Sequence, residues 1–96
     1  MTVYYKDGVV GDLQPVAQKG LGRLDRAHSA RVRSALTIVT SKRDGNHMAG
    51  SFHYIGLAFD VRPFEGWDKA RYLKAFGHGW QVIVNNDYVH CEYDPK

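Results

Sequence analysis

A single cysteine, Cys91, stands among the 96 residues, which excludes an internal disulfide and fits a reducing compartment. No apolar run approaches the roughly 20 residues of a membrane-spanning helix. The segment Met1 to Gly8 has no basic stretch followed by an apolar core, so no secretory signal is expected. Repeats, linkers and low-complexity segments are also missing, and one domain over residues 1–96 is the expectation. Neither charge sign dominates: the formal net charge is +3. A basic balance can serve nucleic acid, an anionic membrane or an acidic polymer such as the bacterial cell wall. For a charge this small, with Arg23, Arg26, Arg31 and Arg33 crowded into one segment, a solvated helix face is the simpler reading.

What is present suits a small soluble domain, with 44% hydrophobic and 24% charged residues. The length lies near the lower end of what buries a self-sufficient core, so a bound metal would help hold it together. Val3-Tyr4-Tyr5 and Val9-Val10 flank Lys6-Asp7-Gly8, a possible tight turn between short antiparallel arms. Asp12 suits an N-cap, with Pro15 in the first turn, where its missing N–H costs little. From Leu13 to Leu36 the apolar positions recur at mostly helical spacing, and Gly20-Leu21-Gly22 or His28-Ser29 would split the run. Leu36 to Thr40 reads as a buried strand and Gly56 to Val61 as the next, closed by Pro63. Phe64 to Phe76 reads as a helix capped by Gly77. Trp80 to Val84 and Tyr88 to Tyr93 read as a hairpin around Asn85-Asn86.

The stretch that organises the rest is Gly50 to Asp60, which sets His53 and Asp60 seven residues apart with Gly56 and Ala58 between them. Imidazole nitrogen and carboxylate oxygen are good zinc ligands, and a catalytic zinc commonly takes three protein ligands and keeps a fourth position for water. The third ligand is expected at His90, which follows the carboxylate Asp87 by three residues. Two histidines and an aspartate leave such a site with net positive charge, able to acidify water and polarise a carbonyl, which suits amide hydrolysis.

With these residues the chain resembles the zinc D-alanyl-D-alanine carboxypeptidases and their relatives: phage endolysin peptidases, vancomycin-resistance dipeptidases and, by fold, the hedgehog signalling domain. The pattern Ser-x-His-x-x-Gly-x-Ala-x-Asp is met at Ser51, His53, Gly56, Ala58 and Asp60, and an upstream Thr-Ser-x-x-Arg element loosely at Thr40, Ser41 and Arg43. The likeness runs from about Thr40 to Asp94. It departs at Tyr88, where many members carry the first histidine of His-x-His, so members with Asp-x-x-His or Glu-x-x-His are the nearer match.

The resemblance implies a zinc metallopeptidase, a hydrolase of bacterial peptidoglycan stem peptides, with His53, Asp60 and His90 on the metal and Asp87 as general base. Glu92 competes with Asp87 for that role, because on a regular strand Tyr88, His90 and Glu92 share one face and Asp87 faces the other way. Arg43 is the candidate to bind a substrate carboxylate or stabilise an oxyanion. Ser51 would contact the substrate or brace its loop, and Tyr88 would offer a phenolic donor. His28 and His78 read as structural histidines, His47 as a turn residue, and Cys91, Trp67, Phe76 and Trp80 as core.

The expected fold is α+β: an antiparallel sheet of about four strands carrying zinc on one face, with helices on the other. Short length and the missing signal suit a monomeric phage-encoded lytic enzyme, held in the host cytoplasm until release to the wall or carried on the virion. The alternative is a zinc-stabilised binding module of the same fold without catalysis. Nucleic acid is not expected as a partner, since only the arginines suggest it.

Overall fold

The computed structural model describes residues 3–9, 11–31, 37–42 and 56–95. Seven elements run in the order β1 (Val3–Tyr5), α1 (Pro15–Arg31), β2 (Thr37–Ser41), β3 (Ala58–Val61), α2 (Lys69–Phe76), β4 (Trp80–Val84) and β5 (Val89–Tyr93). The class is α+β. The sheet has five strands in the order β1-β2-β3-β5-β4 and is mixed rather than wholly antiparallel. β1 lies parallel to β2, with Val3 opposite Thr37 and Tyr5 opposite Val39, while every other pair is antiparallel.

The turn at Lys6-Asp7-Gly8 does form, closed by a 3.1 Å bond from the Val9 amide to the Lys6 carbonyl, with Gly8 at a φ of 89°. It does not return the chain as a hairpin. The Lys6 amide bonds to the Val39 carbonyl at 2.8 Å, so β1 spends its edge on β2. Three residues cannot make a stable ribbon alone, and a longer β-branched strand is the better partner.

Helix α1 is continuous through both places where the sequence suggested a break. Its cap is Gln14 rather than Asp12: the Gln14 carbonyl accepts from Ala17 and Gln18, and its amide bonds to the Gly56 carbonyl at 2.8 Å. Gly20 survives inside the helix because the Trp80 ring lies against it; an added Cβ there would come within 2.1 Å of Trp80 Cζ2. Helix α2 starts at Lys69, five residues later than the periodicity suggests. Gly66 at a φ of 77° turns the chain, and the Asp68 carboxylate then accepts from the Arg71 amide at 2.9 Å. Gly77 ends α2 as expected, its amide bonded to the Leu73 carbonyl at 3.0 Å.

Both helices cover one face of the sheet. Ala17, Leu21 and Leu24 of α1 and Tyr72 and Phe76 of α2 are buried with Val39, Phe59, Val61, Val82, Val89 and Cys91 of the strands. Trp80 stacks on Phe76 at 4.3 Å and meets Phe59 edge-on at 5.8 Å. Burying side chains of this size stabilises by about 1.5–3 kcal/mol each, so the helix layer holds the sheet's geometry. Because strand side chains alternate, the register that sends Phe59 opposite Cys91 into this core sends Asp60 opposite His90 onto the other face.

Candidate functional site

Asp60 lies on β3 and His90 on β5, directly opposite each other in the antiparallel ladder, with Ala58 opposite Glu92 one step along. β3 is the central strand and is buried along its whole length. Asp60 therefore stands on the most firmly held strand of the molecule. Residues thirty apart in sequence meet: His90 Nδ1 is 3.0 Å from Asp60 Oδ1, and His90 Nε2 is 2.7 Å from Glu92 Oε1. All three side chains are only slightly open to solvent, at 16%, 12% and 21% for His90, Asp60 and Glu92.

Two carboxylates, both acceptors, thus face the two nitrogens of one ring. A neutral imidazole has a single N–H, so only the imidazolium satisfies both partners. The His90 pKa is raised above its usual 6.5; the hydrogen bond to Asp60 is the largest cause, burial works against it, and Glu92 works with it. The same geometry can serve a cation other than the proton. Two ligand atoms of a tetrahedral zinc, each at about 2.0–2.2 Å from the metal, lie roughly 3.3 Å apart, close to the 3.0 Å between His90 Nδ1 and Asp60 Oδ1. With Nε2–H donated to Glu92, the Nδ1 lone pair is left for the metal, the usual arrangement in which a carboxylate orients a metal-binding histidine.

His53, Ser51 and Arg43 lie outside the described residues, as does His47. Among the described residues no three His, Cys, Asp or Glu side chains are grouped to hold a metal ion. The expected set is completed only by His53. Glu92 does not stand in as a third ligand next to Asp60, because it takes the far nitrogen of the ring.

Asp87 is exposed in the turn between β4 and β5, which the Asn85 amide closes on the Tyr88 carbonyl at 2.9 Å. Regular pairing begins at Val89, so Asp87 precedes it. Tyr88, 41% exposed, sits at the same corner. The carboxylates bound to His90 are Asp60 and Glu92; Asp87 is not one of them.

The remaining histidines part company. His28 stacks on Phe64 at 3.6 Å and approaches Thr37 Oγ1 at 3.3 Å; Thr37 donates to the buried Asp25 at 2.8 Å. Burial lowers the His28 pKa, partly offset by Asp25. That is a packed, structural histidine. His78 is exposed in the turn before β4, where the sequence reading had a structural histidine. Cys91 is fully buried, and burial raises its thiol well above the usual range, so it is an inert core residue.

Sequence reasoning missed Lys69. A recess of about 280 Å³ beside His90 and Glu92 is walled by Gln81 and Ile83 of β4 and by Lys69 and Leu73 of α2. Lys69 belongs to no motif; its only signal is the four-residue spacing that puts it and Leu73 on one side of a helix. Among the described residues, no helix is long and apolar enough to cross a membrane. No protein-family model matches the chain, and no curated protein matches it.

Proposed function

We propose that this chain is a zinc-dependent peptidase acting on the short peptides of bacterial peptidoglycan, with a fold of the hedgehog and D,D-peptidase kind. The observation that carries the reading is the His90 Nδ1 to Asp60 Oδ1 separation of 3.0 Å, with Glu92 on the other ring nitrogen. It brings together two of the three ligands that the motif names. His53 would be the third. Zinc held there would lower the pKa of a coordinated water towards neutrality and polarise an amide carbonyl.

The chain's own groups supply the rest. Glu92 keeps the Nε2 proton and so fixes which nitrogen His90 presents. Asp87, three residues before His90 and exposed at the corner, takes a proton from water and returns it to the leaving amine. Tyr88 beside it offers a phenolic donor to the developing oxyanion. Arg43 and Ser51 bind the substrate's carboxylate and backbone, and Lys69 lines the adjoining recess as a second cation. A phage-encoded lytic or virion enzyme is a setting that suits this chemistry.

Turnover of purified peptidoglycan, with products identified by mass, tests the reading. Wild type with zinc releases defined peptides. Asp87→Ala keeps its zinc and loses about 10²–10⁴-fold in rate, whereas Glu92→Gln loses about 10–100-fold in zinc affinity and recovers activity in excess zinc. A wild type that binds one zinc per chain and releases nothing would instead indicate the non-catalytic binding module, the reading favoured by Tyr88 standing where many relatives have histidine.

A further inference from the structure

A hollow of about 700 Å³ lies between α1 and α2 in the helix layer. Its lining includes the small residues Ala27, Ala70 and Ala75 and the cations Arg31 from α1 and Arg71 and Lys74 from α2. Asp68 is the only acid on the lining, and its carboxylate is engaged by the Arg71 amide. A neighbouring hollow of about 310 Å³ along α1 adds Lys19, Arg23 and Arg26. The two helices carry seven of the chain's thirteen lysines and arginines and one of its ten acids, Asp25, which is buried against Thr37. The helix layer is therefore strongly positive and the remainder of the chain is net negative.

Local helix electrostatics does not account for this. Arg31 and Lys74 lie in last turns, where a cation complements the helix dipole, but Lys69 and Arg71 lie in the first turn of α2, where it opposes the dipole. Neither helix has an acid in its first turn. Cations kept against local preference, around a concave surface that focuses their field, point to an anionic ligand rather than to a merely solvated face.

We infer that the α1–α2 groove binds a phosphodiester polymer without bases, of the polyol-phosphate type that bacterial walls carry. Two guanidinium groups facing one hollow match phosphate oxygens as bidentate donors. A single-stranded nucleic acid would gain from an open aromatic face for its bases, and the one aromatic ring of the groove is already engaged. Trp67 meets Phe64 and Tyr72 at 5.1 Å each, and Arg71 covers it at 5.7 Å. The groove's lining contains none of Asp60, His90 and Glu92. The choice of a wall polymer rests on the peptidase reading; the binding of phosphodiester does not.

Isothermal titration of the metal-free protein with synthetic poly(glycerol phosphate), a single-stranded oligonucleotide of equal phosphate number and poly-L-glutamate tests this without any peptide bond. Poly(glycerol phosphate) is expected to bind tightest, with a slope of log K against log salt on the order of −2 for three contacts. Arg31→Gln with Arg71→Gln weakens binding at least tenfold, and Lys74→Gln alone weakens it severalfold. The matched control, Lys6→Gln with Arg62→Gln, changes it less than twofold, and circular dichroism confirms that each variant folds. Equal losses in both double variants, tighter binding of the oligonucleotide or the polyglutamate, or no binding at all would overturn the proposal. Binding without peptide turnover would leave the groove standing and fell only the peptidase.

Discussion

At the scale of single residues, His90 carries the most consequence. Its folded pKa lies above 6.5, so in the metal-free protein it binds a proton more tightly than in the unfolded chain. Its contribution to stability is then complete below pH 6.5 and is lost as the pH rises through the folded pKa. His28 works the other way, since its folded pKa is lowered and protonation of the unfolded chain costs stability as the pH falls below 6.5. Comparing wild type with His90→Gln in urea and EDTA from pH 5 to 9 cancels His28, which both share. The wild type should be the more stable at low pH and the gap should close as the pH rises; a constant gap would mean that His90 is not held as an imidazolium. The sequence singled out Asp60 and His90 by residue type and spacing, and the structure sets them opposite each other. Sequence reading set Glu92 against Asp87 as competing bases and did not foresee its bond to His90, because which ring nitrogen Glu92 reaches depends on rotamers within one strand.

At the scale of elements, the sequence read strands better than helix ends. Trp80 to Val84 was legible residue for residue, since its composition and the Asn85-Asn86 turn bound it on both sides. The start of α2 was not, because Trp67 keeps the helical spacing while the chain is still turning at Gly66. The continuity of α1 was hidden for a tertiary reason: Gly20 reads locally as a weak point, yet it makes room for Trp80. Gly20→Ala gains about 1 kcal/mol of helix propensity but must displace an indole held between Phe76 and Phe59, an overpacking worth typically 1–3 kcal/mol. Among the described residues a Cβ at Gly22 would meet only Arg26 Nη1 at 3.4 Å, ordinary contact with a flexible tip. In urea melts, Gly20→Ala should lower the midpoint and Gly22→Ala should hold or raise it. If both rise, the Trp80 contact is looser than the structure has it.

At the scale of the whole molecule, the sheet joins parts that are far apart in sequence, and that is why its topology was the least legible feature. Nothing in Val3-Tyr4-Tyr5 specifies a parallel partner more than thirty residues away. Small size makes a ligand matter: a metal at a hundredfold its Kd adds about 2.7 kcal/mol to a protein that binds it only when folded. For a domain of this size that corresponds to a Tm rise of roughly 10–20 °C. Scanning calorimetry with zinc and with EDTA should give this rise for wild type and remove most of it for Asp60→Asn. No rise in the wild type would count against zinc.

The short turn from Asn85 to Tyr88 has a consequence out of proportion to its size. It fixes how far β5 has advanced when pairing with β4 and β3 begins, and in a ladder of period two an advance of one position exchanges the faces. One residue added between Tyr88 and Val89 without a compensating bulge would turn His90 and Glu92 towards Phe59 and Val82, and Cys91 towards Asp60. The length of a loop, and not only the identity of its residues, is part of what makes this surface chemical.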